Sequence, residues 1–190
     1  MSDEKAIRES LNETVQSKTQ VYHGRVANID VWDVTLPDGR SAKREIIRHP
    51  GAAAVVPVDA DGCVTMVYQD RHPLQRVTLE IPAGKRENGE DPLICAEREL
   101  HEEVGLIAEN YTLLTELATS PGIFDERIFV YLATDLSACQ TDPDEDEFLN
   151  VRRFPLDELI CRITRGEIQD SKTIVGLMLA REALKKQHQK

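Results

Sequence analysis

The sequence predicts an α+β fold in which a mixed set of strands is covered by helices. Apolar and polar residues alternate over 21–48, the period of a strand, and several later runs are strand-like as well. Between Asp91 and Gly105 the period becomes that of an amphipathic helix, with a start signal at one end and a stop signal at the other. Residues 171–186 carry a further helical pattern in Ile174, Leu177, Met178 and Leu184.

Taken in order, residues 1–20 form a polar N-terminal arm in which Ile7, Leu11 and Val15 suggest only a weak helix or a frayed segment. Residues 21–50 read as an antiparallel β hairpin, with Val26, Ile29, Val31 and Val34 before the turn Pro37-Asp38-Gly39. The main domain is expected over 51–190. Its first strands, 52–58 and 64–69, are joined by Asp59-Ala60-Asp61-Gly62 and read as a second hairpin. A strand over 77–81 is stopped by Pro82-Ala83-Gly84. Asp91 is a good helix cap, Pro92 suits the first helical position, and Gly105 is placed to end the helix. Strands are expected over 111–118, 127–133 and 148–154, and a short helix starts at Pro155.

The 190-residue chain carries 34 acidic against 23 basic residues, a formal net charge of −11. That balance opposes a surface that tracks a nucleic-acid backbone. No run of about eighteen apolar residues is present for a membrane span, and the N-terminal residues lack the order of a signal peptide, so a cytoplasmic protein is expected. Cys63, Cys95, Cys139 and Cys161 form no C-x-x-C pair and are expected to stay reduced.

On the helix after Asp91, Leu93, Ala96, Leu100 and Val104 form an apolar stripe, and Glu99, Glu102 and Glu103 share a ridge beside it. Like charges so close repel one another, and a bound dication would reverse that sign. Hard cations such as Mg²⁺ take oxygen ligands and fill their shells with water and substrate phosphate. Taken alone, a Glu-rich helical face is usually solvated surface.

The frame around the ridge overturns that reading. Gly84 is followed after five residues by Glu90, and after seven more by Arg98-Glu99-Leu100, then Glu102-Glu103 and Gly105-Leu106. At background frequencies its Gly, Glu and Arg positions match by chance roughly once in 10⁸ to 10⁹ starts. The chain thereby resembles the Nudix hydrolases, which cleave a nucleoside diphosphate linked to another moiety. The resemblance implies an α/β/α sandwich around a mixed sheet, with the N-terminal hairpin appended. It also implies metal binding by the Ala83 carbonyl and by Glu99 and Glu103, with Glu102 as ligand or base and Arg98 orienting a catalytic glutamate.

Three further stretches resemble the ADP-ribose pyrophosphatase branch. Ser120-Pro121-Gly122 lies fifteen residues beyond Leu106, where a proline marks the branch, and with Glu126 it is expected to contact substrate. Arg44-Glu45 and Arg71 match substrate-contacting positions, Arg44 reaching across from a partner subunit. In the acidic run 142–147, the branch places a general base at Glu145 and a metal ligand at Glu147, which leaves Glu102 as the rival base. A base on a loop can close over the correct substrate alone.

The resemblance therefore implies Mg²⁺-dependent hydrolysis of ADP-ribose to AMP and ribose 5-phosphate, with Mn²⁺ as a substitute ion, in a homodimer that exchanges its N-terminal hairpin. Alternatives are another nucleoside-diphosphate sugar such as GDP-mannose, or a non-catalytic nucleotide sensor. In several members of the branch aromatic rings, often tryptophans, sandwich the base, and this chain has a single tryptophan, Trp32.

Overall fold

The computed structural model describes residues 2–25, 27–87, 89–141 and 148–187, which fall into two units. The first comprises Met1–His49 with Ser120–Glu126, the second Pro50–Thr119 with Arg127–Lys190.

In the first unit, α1 (Ser2–Ser10) precedes β1 (Thr14–His23), β2 (Asn28–Thr35) and β3 (Ser41–Arg48). The strands form an antiparallel sheet in the order β1-β2-β3, so a third strand joins the expected hairpin. The sequence reading begins the sheet at residue 21, but pairing starts at Thr14 opposite Thr35. β1 is exposed along its whole length, so burial imposes no two-residue alternation on it. Its attachment is polar: Ser17 Oγ donates to Asp33 at 2.7 Å, and the Lys18 ammonium lies 4.0 Å from the centre of the Trp32 ring.

Residues 120–126 are stitched to the end of β3. Ile47 N–H donates to Ile123 O at 2.8 Å, Asp125 N–H returns a bond to Ile47 O at 3.1 Å, and His49 N–H donates to the Asp125 carboxylate at 2.8 Å.

The second unit contains β4 (Ala52–Pro57), β5 (Cys63–Arg71), β6 (Arg76–Glu80), β7 (Ala83–Lys85), α2 (Pro92–Val104), β8 (Leu106–Ala118), β9 (Arg127–Ala138), β10 (Asn150–Pro155), α3 (Leu156–Thr164) and α4 (Ser171–Gln187). A four-stranded mixed sheet has the order β7-β4-β9-β8, with β4 and β9 parallel. A three-stranded antiparallel sheet has the order β10-β5-β6.

β4 is buried on both faces, which suits the unbroken apolar run Ala52 to Val56. Ala53 and Val55 pack with Cys95, Ala96 and Leu100 of α2, whereas Ala52, Ala54 and Val56 pack with Leu159 of α3 and Leu177 and Ala180 of α4. This is the expected α/β/α sandwich. The hairpin expected from β4 and β5 does not form: the two strands lie in different sheets, and a single bridge, Val58 to Val64, links their ends. A strand covered on both faces belongs inside the mixed sheet, and β4 pairs there with β7 and β9.

Pro82 does not end strand structure either. β7 resumes at Ala83 and pairs along β4, Ala54 opposite Ala83, which brings the 83–85 backbone beside α2. All four cysteines are free, and among the described residues no helix is long and apolar enough to cross a membrane.

Candidate active site

The geometry of α2 follows from its ends. Asp91 accepts from Leu93 N–H at 2.8 Å, Pro92 occupies the first turn, and Gly105 takes the left-handed conformation at φ 63°. The cap contributes about 1 kcal/mol, and the fixed ends set which residues face β4. Besides Cys95, Ala96, Leu100 and Val104, the buried face includes Glu99 and Glu103, 6% and 4% exposed.

These two carboxylates lie against β7. A Cβ placed on Gly84 would fall 1.9 Å from Glu99 Oε1 and 2.3 Å from Oε2, so only a residue without a side chain permits this approach. Glu103 Oε2 accepts from Ala83 N–H at 3.1 Å. Arg98 organises the ridge: Nη1 donates to Glu99 Oε1 at 2.7 Å and to Glu102 Oε2 at 2.9 Å. Its Nε and Nη2 donate to the two oxygens of Glu90 at 3.0 and 3.2 Å, and Nη2 also donates to Lys85 O at 3.2 Å.

The expected link from Arg98 to Glu102 is thus present, within a larger fork. Its bonds to Glu90, then the charge of Glu99 and the bond to Glu102, bind the Arg98 proton more tightly than usual. Glu90 in turn is held below the usual carboxylate range, first by Arg98. Glu90 also accepts from Glu87 N–H at 2.8 Å and so fastens the segment that leads into α2. The Cys95 thiol beside this cluster is pushed up to about 12, first by burial, which excludes thiolate chemistry near neutral pH.

The donor set suits a hard cation, with buried carboxylates on one wall and backbone beside them. Among the described residues, no three His, Cys, Asp or Glu side chains are already gathered to hold a metal. Glu99 and Glu102 turn onto Arg98, and Glu103 onto the Ala83 amide. A hard divalent cation that keeps waters and takes substrate phosphate needs few protein ligands, so the residues present fit such an ion. Glu145 and Glu147 lie outside the described residues.

Residues 48–175 match the NUDIX domain model. The chain belongs to the Nudix family. It is 43% identical over 182 residues to the ADP-ribose pyrophosphatase of Bacillus subtilis (strain 168), an alignment covering 94% of this chain and 98% of that protein. It is 45% identical over 170 residues to the methanol dehydrogenase activator of Bacillus methanolicus, covering 87% and 92%. A crystal structure of an ADP compounds hydrolase superposes with a TM-score of 0.81 at 26% identity, covering 93% of this chain and 96% of that one. The protein is accordingly a Nudix hydrolase, from a family whose members generally require divalent cations.

The other expected site residues divide between the two units. In the first, Arg44 on β3 is paired with Glu13, Nε to Oε2 at 3.1 Å, and Glu45 beside it is exposed. Ser120, Pro121 and Gly122 form an exposed turn closed by Ile123 N–H and Phe124 N–H on Ser120 O, at 3.0 and 2.9 Å. Glu126 lies 3.3 Å from His49 Nδ1, a contact the sequence did not suggest.

In the second unit, Arg71 ends β5 with a two-pronged grip on Glu80, at 2.8 and 2.7 Å. Glu80 is 2% exposed and played no part in the sequence reading. Burial would raise its pKa, but the Arg71 fork, Lys172 and the Thr78 hydroxyl outweigh that and bring it from an ordinary 4.5 to about 2. Acid therefore protonates the unfolded chain first, so the stability Glu80 supplies is present above about pH 4.5 and lost as pH falls toward about 2. In urea titrations the Glu80→Gln variant is expected to show a shallower decline across that window, and an unchanged slope would contradict this.

Proposed function

We propose that this Nudix hydrolase cleaves the diphosphate bond of ADP-ribose to give AMP and ribose 5-phosphate, with Mg²⁺ as its working cation and Mn²⁺ as a substitute. The observation that carries the reading is the buried pair Glu99 and Glu103 against the backbone of Ala83 and Gly84. Similarity along nearly the whole chain to a protein named ADP-ribose pyrophosphatase supports the choice of substrate.

Bound there, a divalent cation supplies Lewis acidity toward the diphosphate oxygens and a lowered pKa for the attacking water. Glu99, Glu103 and the Ala83 carbonyl are the residues that would hold it, with Glu147 from the acidic segment. Glu102 or Glu145 takes the proton from water. Arg98 fixes Glu102 through Oε2 and leaves Oε1 for that work. Arg71 neutralises charge on the diphosphate. Arg44 also neutralises the diphosphate, and Glu45, Ser120, Pro121, Gly122 and Glu126 contact the substrate. In the homodimer Arg44 reaches across, on the N-terminal hairpin, to the partner subunit's site.

The test is product analysis with Mg²⁺ on a panel of ADP-ribose, NADH, GDP-mannose, UDP-glucose and diadenosine compounds. Equimolar AMP and ribose 5-phosphate, formed fastest from ADP-ribose, is the expected result. Faster turnover of another panel member overturns the substrate, and tight Mg²⁺ binding without turnover overturns the enzyme reading. Light scattering on the same preparation checks the dimer, which a fully active monomer would refute.

A further inference from the structure

A carboxylate as buried as Glu80 is costly unless fully paired, and apolar packing would commonly serve the fold as well. Glu80 is fully paired. Besides the Arg71 fork it accepts from Thr78 Oγ1 at 2.6 Å and from the Lys172 ammonium, which comes from α4, ninety-two positions away in sequence. Lys172 is itself only 7% exposed and donates also to Asp170 Oδ2 at 3.0 Å. Asp170 caps α4 through Thr173 N–H at 3.0 Å and Thr173 Oγ1–H at 2.6 Å. The same Thr173 hydroxyl accepts from Ile81 N–H at 3.0 Å. The first turn of α4 is thus tied twice to the segment leading into Ala83.

Arg71 is the member of this chain that opens outward, its side chain 39% exposed. Two of its nitrogens are spent on Glu80, and Nη1 has no bonded partner among the described residues. It stands on the wall of a cavity of about 410 Å³ lined also by Leu74, Arg76, Asp170 and Lys172. The bond to Glu80, and after it the charges of Asp170 and Glu103, hold the Arg71 proton more tightly than usual. Arg71 and Lys172 balance Glu80 and Asp170. Without Lys172 the remaining three groups, Arg71 included, carry a net negative charge that opposes the approach of a diphosphate.

We infer that Lys172 is a positioning residue for diphosphate hydrolysis, acting through Glu80 to aim the Arg71 fork and to keep the four bonded groups Arg71, Glu80, Asp170 and Lys172 neutral as a set. The inference rests on the reading that Arg71 meets the substrate diphosphate. It adds a residue outside every motif recognised in the sequence.

A double-mutant cycle tests it, with kcat and KM measured for wild type, Lys172→Met, Arg71→Ala and the double variant, alongside thermal unfolding. Arg71→Ala is expected to raise KM about 30-fold and Lys172→Met about 10-fold, with the double variant within about twofold of Arg71→Ala alone. Adding Glu80→Gln to Lys172→Met restores neutrality but leaves the Arg71 fork one acceptor short, so it should recover part of the KM loss; a purely structural lysine would show further loss. Multiplying losses, an effect confined to unfolding temperature, or full activity in Arg71→Ala each overturns the inference. Lys172→Gln, which keeps a donor toward Glu80, takes the place of Lys172→Met if that variant does not fold, and failure of both assigns Lys172 to structure alone. Wild-type turnover of the panel judges the substrate separately. If another diphosphate is preferred, the same cycle is run on it with non-additivity still the readout.

Discussion

Glu103→Gln is expected to lower kcat by about 10³-fold, roughly 4 kcal/mol of barrier, while the protein remains folded. The amide can keep an oxygen on Ala83 N–H, the 3.1 Å bond that Glu103 Oε2 accepts, so the local structure has little reason to change. What disappears is a negative charge, 4% exposed and one helical turn from that of Glu99. Removing one of two like charges at this spacing relieves a repulsion of a few tenths of a kcal/mol, which offsets the lost attraction to Arg71, so the metal-free variant should keep its stability to within about 1 kcal/mol. Activity would be lost with stability kept, as expected of a residue held in place for function. Steady-state kinetics with Mg²⁺, paired with calorimetry in chelator, measures both halves. Retained turnover would remove Glu103 from the metal site.

The second large effect comes from a single methyl group. In Gly84→Ala the new Cβ would sit 1.9 to 2.3 Å from the Glu99 carboxylate atoms, closer than any real contact. Those atoms end a flexible side chain, and Gly84 is not among the residues with positive φ, so the backbone carries no strain of its own. The carboxylate therefore swings away. The expected cost to kcat/KM is about 10²-fold, the scale of an ångström's misplacement at a reacting centre, with a stability change within about 1 kcal/mol. A crystal structure of the variant should show Glu99 displaced. Wild-type kcat/KM in Gly84→Ala would mean that the close approach does not serve catalysis.

How much of this was readable in the sequence depends on how local each cause is. The ends of α2 were readable because Asp91, Pro92 and Gly105 act within a turn of themselves. The carboxylate ridge was readable for the same reason, since helical spacing puts Glu99 and Glu103 together. Their burial was not, because it depends on β7 pairing with β4, and a three-residue strand after a proline carries almost no signal. β1 was missed for the opposite reason: it is long, but burial leaves no periodic mark on it. Two apolar runs joined by Asp-Ala-Asp-Gly resembled a hairpin, yet β4 needed cover on both faces and took its neighbours from elsewhere in the chain. Glu80, Arg71 and Lys172 meet across three separate elements, and no local rule relates them.

The stitching of residues 120–126 to the end of β3 bears on how the chain is made. His49 and the Asp125 carboxylate that binds its amide are 76 positions apart, and all of α2 and β8 lies between them. A ribosome delivers the three-stranded sheet early, yet that unit lacks its last piece until β4 through β8 have emerged. Completion of the first unit is thus deferred until β7 and the carboxylate ridge of α2 have been synthesised. A nascent chain arrested before residue 120 would hold the β3 end with its eventual neighbour still unmade.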